Sequence, residues 1–141
     1  MNYMGQFDHL FKSVKIGKEH ELYKILLEEA EGFEIDIHED IFYIKNLWIE
    51  DKLPILFVFS DKKIIKISIE DSEKSLLSVE FCDRSKISSV KYLKNYNLGE
   101  SVLNFKINDI ESILNPLEDV NEHHIKNYIQ LVDDIIKYLK K

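Results

Sequence analysis

The hydrophobic period of this chain changes twice, and the two changes dictate its organisation. Near the start, apolar residues recur at helical spacing. Phe7, Leu10, Phe11 and Val14 share one face, and Leu22, Leu26 and Ala30 form a row with Tyr23 and Leu27 beside it. This predicts a helical segment over residues 6–31, interrupted at Gly17 and ended by Gly32 in the left-handed conformation. At residue 33 the period drops to two. Phe33, Ile35 and Ile37 alternate with Glu34, Asp36 and His38, as expected of a half-buried strand. Further strand-like runs cover 41–49, 53–59, 65–69, 77–81, 86–93 and 103–107. After Asn121, which is placed to cap a helix, Ile125, Tyr128, Ile129, Val132, Ile135, Ile136 and Leu139 restore the helical period.

The connections between strands are too short for parallel crossovers, which need roughly a dozen residues or more. The expected fold class is therefore α+β: an antiparallel meander of about seven strands over 33–108, forming a barrel or curled sheet. An N-terminal helical segment precedes it and an amphipathic helix at 121–140 follows, all within one domain, 1–141. Residues 109–114 read as a helical turn broken at Asn115-Pro116. Ile125, Ile129, Val132 and Ile136 are the expected buried positions of the last helix.

Charge and cysteine usage narrow the function classes. The net charge is −7, which argues against nucleic acid as a bulk electrostatic partner. The charge is unevenly spread. Residues 18–51 hold three lysines against eleven acids, a local −8, whereas residues 62–94 hold eight basic groups against five acids, a local +3. No apolar run approaches the roughly 20 residues that span a bilayer, so membrane insertion is not expected. The first six residues lack the basic and apolar regions of a secretory leader. Cys82 is the single cysteine, so no internal disulfide or cysteine cage forms, and a reducing cytoplasm is the expected compartment. The richness in Ile, Lys, Asn and Glu fits a low-GC bacterium or its phage.

The residues that invite a chemical reading do not combine into a site. His123 and His124 are adjacent, about 100° apart on a helix, and the i, i+4 spacing that serves a metal is missing. Glu19-His20-Glu21 reads as an exposed first turn, and His9 and His38 are isolated. The four glycines, at 5, 17, 32 and 99, make no phosphate loop. No serine has a nucleophile-elbow setting, and Cys82 reads as a packing residue. Neither cofactor nor metal is expected. Lys62, Lys63, Lys66, Arg84, Lys86, Lys91 and Lys94, with Tyr92 and Tyr96, read as a lysine-studded sheet face. Residues 41–49 hold Phe42, Tyr43, Leu47, Trp48 and Ile49, more apolar surface than one strand face requires. Either a helix covers the second face, or that face meets a partner. The candidate partner contacts are therefore Trp48 and Tyr43, of types enriched at binding hot spots, with the acids Glu39 and Asp40 beside them.

Two stretches resemble a known family. Leu56-Phe57-Val58-Phe59-Ser60-Asp61-Lys62-Lys63-Ile64-Ile65 resembles the strand–turn–strand of bacterial pleckstrin-homology-like and GRAM-like domains. Lys86-Ile87-Ser88-Ser89-Val90 resembles the later strand of that family. The resemblance covers residues 33–140 and implies seven antiparallel strands closed by a C-terminal helix. In some members the first hairpin binds phosphoinositides through basic residues. Here that hairpin reads Glu34, Asp36, His38, Glu39 and Asp40, which would repel phosphate. The resemblance then implies protein or peptide binding. The expected function is a non-enzymatic protein- or peptide-interaction module, with self-association left open. The alternative is a small acidic inhibitor, of the immunity-protein or phage counter-defence kind, that blocks a basic active site.

Overall fold

The computed structural model describes residues 18–36, 39–46, 49 and 51–141. Helix α1 (Lys18–Glu31) is followed by seven strands: β1 (Ile41–Lys45), β2 (Ile55–Phe59), β3 (Lys63–Asp71), β4 (Leu76–Asp83), β5 (Ile87–Asn95), β6 (Glu100–Ile107) and β7 (Ile110–Leu114). A short helix α2 (Pro116–Asp119) and the long helix α3 (Ile125–Lys140) complete the order. All strand pairs are antiparallel, in two sheets: β1-β2-β3-β4 and β5-β6-β7. The class is α+β, as the change of period predicts. Among the described residues no helix is long and apolar enough to cross a membrane.

Burial explains why β1 and β2 are nearly continuous in apolar residues. Phe42, Tyr43, Ile44, Leu56, Phe57, Val58 and Phe59 are all at most 1% exposed, so both faces of this half of the sheet are covered. By alternation, one face carries Val58, Ile65 and Phe81 in cross-strand register. On that side α1 packs against β2 and β3 through its buried Tyr23, Leu26, Leu27 and Ala30. The other face carries Tyr43, Phe57 and Phe59. Phe105 of the second sheet stands edge-on to both Phe57 and Phe59, with centroids 5.9 Å apart in each case. Tyr128 of α3 stands edge-on to Tyr43 at 4.8 Å. The second sheet and α3 thus close this side of the core.

Both ends of the strand series depart from the sequence reading. Residues 33–36 are turn and irregular backbone, not a strand. Phe33 and Ile35 are half-buried and pack on the core, Phe33 edge-on to Phe81 at 5.2 Å, so their alternation reflects packing without a ladder. The backbone of Asp36 is used locally. Its N–H donates to the Asp40 carboxylate at 2.7 Å, and its carbonyl accepts from Asp40 N at 2.8 Å. Ile37 and His38 lie outside the described residues. The acids at 34, 36, 39 and 40 therefore precede the first hairpin instead of forming it; that hairpin joins β1 to β2. At the other end, residues 110–114 form β7 instead of a helical turn. Asn108 (φ 51°) and Asp109 (φ 66°) make the two-residue turn between Ile107 and Ile110, the left-handed pair that suits a tight hairpin.

Smaller boundaries also shift. Gly32 does not adopt positive φ; the left-handed residue after α1 is Glu34 (φ 57°). β1 stops at Lys45 because Asn46 turns left-handed (φ 65°), and its side chain donates to Leu53 O across the connection. α3 begins at Ile125, not 121, since Asn121 accepts from His123 N and closes a separate turn. Val132 and Ile136 are buried as expected, with Tyr128, Leu131 and Ile135, but Ile125 and Ile129 are only half-buried.

Candidate functional site

The expected contact residues do not gather at one surface. Trp48 lies outside the described residues. Tyr43 is fully enclosed, so it presents no surface to a partner. Its hydroxyl donates to Asp119 at 2.7 Å, and burial first, then the Asp119 carboxylate, pushes the phenol far above its ordinary range. Asp119, 2% exposed, also accepts from Lys45 Nζ at 2.8 Å and Asn115 N at 2.8 Å. This buried network ties β1 to α2 and is structural. Glu39 is exposed, whereas Asp40 is buried and its carboxyl is raised above the ordinary carboxylate range by that burial. Burial likewise raises the Cys82 thiol, which keeps it protonated and fits a packing role. Among the described residues no group of His, Cys, Asp or Glu has a metal-holding arrangement.

The feature that stands out is β5. Eight of its nine residues are exposed and Ile87 is half-buried. It pairs with β6 on one side only, as one edge of its sheet, of which β7 is the other, and β1 and β4 are the edges of the four-stranded sheet. An edge strand aims the N–H and C=O groups of alternate residues away from the sheet. Among the described residues no second strand pairs with those of β5. Around them stand Val90 (45% exposed), Tyr92, Leu93 (59%) and, at the hairpin tip, Tyr96 (90%) and Leu98 (68%). The tip is well formed. The Asn95 side chain accepts from Asn97 N and Leu98 N, and Gly99, at φ 69°, returns its N–H to Asn95 O at 2.7 Å.

A cleft of about 620 Å³ runs beside the start of this edge. Ile87, Val90 and Leu139 supply its apolar lining, and Lys62, Arg84 and Lys141 its cations, with Asp83 and Ser85 at the junction of the sheets. Arg84 fixes the geometry. It sits in the 3-10 turn, Arg84–Lys86, that links β4 to β5. Its Nη2 donates to the carbonyls of Tyr138 and Lys141, and its guanidinium lies 4.2 Å from the Tyr138 ring centroid. Unpaired carbonyls at a helix C-terminus favour such a cation. The Tyr138 hydroxyl in turn donates to Ser60 O, and burial pushes it up to about 12. The last turn of α3 is thereby pinned to the junction of both sheets. Further along, Lys140 Nζ lies 4.8 Å over the Tyr92 ring and its hydrogen bond lowers the Tyr92 hydroxyl. Lys94 pairs with Asp133 at 3.5 Å. Lys140 and Asp133 of α3 thus reach the side chains of Tyr92 and Lys94 on β5.

Residues 8–130 match the family DUF3908, described as a protein of unknown function. The chain belongs to the DUF3908 family. The matched span of this DUF3908 chain contains all seven strands and ends within α3, short of Leu139, Lys140 and Lys141 on the helix side of the cleft. No curated protein and no solved structure matches the chain. The sequence grouped Lys62, Lys63, Lys66, Arg84, Lys86, Lys91 and Lys94 with Tyr92 and Tyr96 as a lysine-studded sheet face. What it lacked was a sign that β5 is an edge, because the break between the sheets at Arg84–Lys86 carries neither Gly nor Pro.

Proposed function

We propose that this chain is a non-enzymatic interaction module that binds a partner protein by accepting an extended segment of it as an extra strand on β5. One observation carries the reading: a nine-residue edge strand, exposed on both faces, bordered by a cleft and flanked by apolar side chains. Strand addition draws affinity from main-chain hydrogen bonds and specificity from pockets for alternate side chains. The four-plus-three division of antiparallel strands before a C-terminal helix supports a pleckstrin-homology-like or GRAM-like relationship, a fold in which protein binding is common. The location that fits the free Cys82 thiol is the cytoplasm.

The test is selection of a random nonapeptide display library on the whole protein. Enriched peptides should shift the backbone amides of Ile87–Asn95 in NMR spectra, and N-methylation at alternate peptide positions should abolish their binding. Enriched peptides that map elsewhere, or that tolerate N-methylation, would refute strand addition.

The inhibitor reading keeps support from a different surface. Glu28, Glu29, Glu31, Glu34, Asp36 and Glu39 are all exposed and near one another in sequence. A partner captured by that surface would associate at a rate falling steeply with salt and indifferent to changes in β5.

A further inference from the structure

We infer that the strand β5 accepts is acidic: a carboxylate-bearing extended segment of a partner protein, with one carboxylate seated at the Lys62, Arg84 and Lys141 end of the cleft. The inference rests on the strand-addition reading and names the chemistry of its occupant. Its ground is charge complementarity. The whole chain carries −7, yet this edge gathers cations. Lys86 and Lys91 belong to the turn and strand, and Lys62, Arg84 and Lys141 line the cleft. Among the described residues none of these five has an Asp or Glu carboxylate within the 4.0 Å of an ion pair, although Asp83 also lines the cleft. Arg84 spends Nη2 on the main-chain oxygens of Tyr138 and Lys141, which leaves its remaining N–H groups for an anion.

A second copy of this chain does not satisfy the same edge. An antiparallel pair of β5 strands centred on Tyr92 would set Lys91 diagonal to Lys91 of the other copy, within reach of its long side chain, and like charges at that range repel each other. Lysines on an edge discourage self-pairing. The same lysines favour a strand of opposite charge. Edge protection alone leaves the exposed Val90, Tyr92 and Leu93 and the adjoining cleft without a role. Nucleic acid fits less well, since its stacked bases make no use of a row of backbone donors and acceptors and the remainder of the surface is acidic.

Three fluorescent nine-residue probes decide the matter, each alternating Val with Glu, Gln or Lys and matching β5 in length. Anisotropy titrations of the whole chain at low salt should rank Glu first, with affinity falling as salt rises. The Glu probe should shift the β5 amides. Lys86→Glu combined with Lys91→Glu should weaken the Glu probe roughly fivefold and strengthen the Lys probe. Both lysines are exposed, and circular dichroism would verify the fold of the variant. Should it unfold, the ranking and salt series on the parent protein decide. Gln or Lys probes that bind as tightly as Glu, while still shifting β5, would overturn the acidic assignment and leave strand addition standing. No β5 shift with any probe would overturn strand addition itself. Displacement of the Glu probe by lower concentrations of oligouridylate or of phosphatidylserine vesicles would assign the edge to nucleic acid or membrane and overturn the inference.

Discussion

Replacing Asp119 with Ala is expected to be among the costliest single changes in this protein. The carboxylate is 2% exposed and accepts three hydrogen bonds, from the Tyr43 hydroxyl at 2.7 Å, Lys45 Nζ at 2.8 Å and Asn115 N at 2.8 Å. Removing one partner of a buried ion pair costs about 3–5 kcal/mol, because the other charge stays behind. Lys45 recovers part of that, since its side chain is 25% exposed and its Nζ also donates to Ile113 O at 2.6 Å. Tyr43 recovers nothing: its hydroxyl is sealed in the core, and an unsatisfied buried donor costs about 1–3 kcal/mol. The net expectation is roughly 3 kcal/mol for Asp119→Ala and about 1–2 kcal/mol for Tyr43→Phe, which leaves Asp119 two donors. The pair of changes should cost less than their sum, because the phenylalanine ring has no hydroxyl to strand. Urea denaturation of the parent, both single variants and the double variant measures all three values. A loss below ~1 kcal/mol for Asp119→Ala, or strict additivity, would refute the view that this carboxylate anchors α2 to β1.

Three further outcomes are expected. Ile135→Ala, at a fully buried site, should cost about 2–5 kcal/mol, and the half-buried Ile129→Ala clearly less; equal losses in chemical denaturation would contradict the assigned face of α3. Ser112 is 6% exposed with no hydrogen-bond partner for Oγ among the described residues, so Ser112→Ala should be neutral or stabilising by up to ~1 kcal/mol, and a lowered melting temperature would reveal a partner. Burial raises the Asp40 carboxyl, so the folded state binds its proton more tightly than the unfolded chain does, and stability falls as pH rises through that window. Asp40→Asn should therefore be more stable than the parent at pH 7, with the gap closing as pH falls into the ordinary carboxylate range; a gap that widens in acid would reverse the sign.

Helices α1 and α3 and the six strands β1 to β6 were legible because their signals are local, while the 6–17 part of the expected helical segment lies outside the described residues. Val132, Ile135 and Ile136 repeat at helical spacing within one stretch, and the buried face of α3 follows from them. The misread elements had local signals that pointed elsewhere. Residues 33–37 alternate like a strand, yet residues 33–36 are turn and irregular backbone, with Asp36 bonded to Asp40 instead of to a ladder. Asn108-Asp109 carried the signature of a tight hairpin turn and was the available sign of β7. Tyr43 looked like a contact residue because its partner, Asp119, is 76 positions away. The candidate site was legible as residues but not as a place. Lys91, Tyr92 and Lys94 are readable as a group, but whether a strand lies at an edge depends on which strands pair. That is settled by long-range register.

Residue-by-residue amide hydrogen exchange in the free protein, followed by NMR, tests the central claim most directly. An open β5 edge bonds to β6 through alternate residues only, so protection along Ile87–Asn95 should alternate, slow and fast, with the fast amides slowing when a strand-forming peptide binds. Uniform protection of all nine residues in the free protein would mean that the edge is already covered, and would contradict the account.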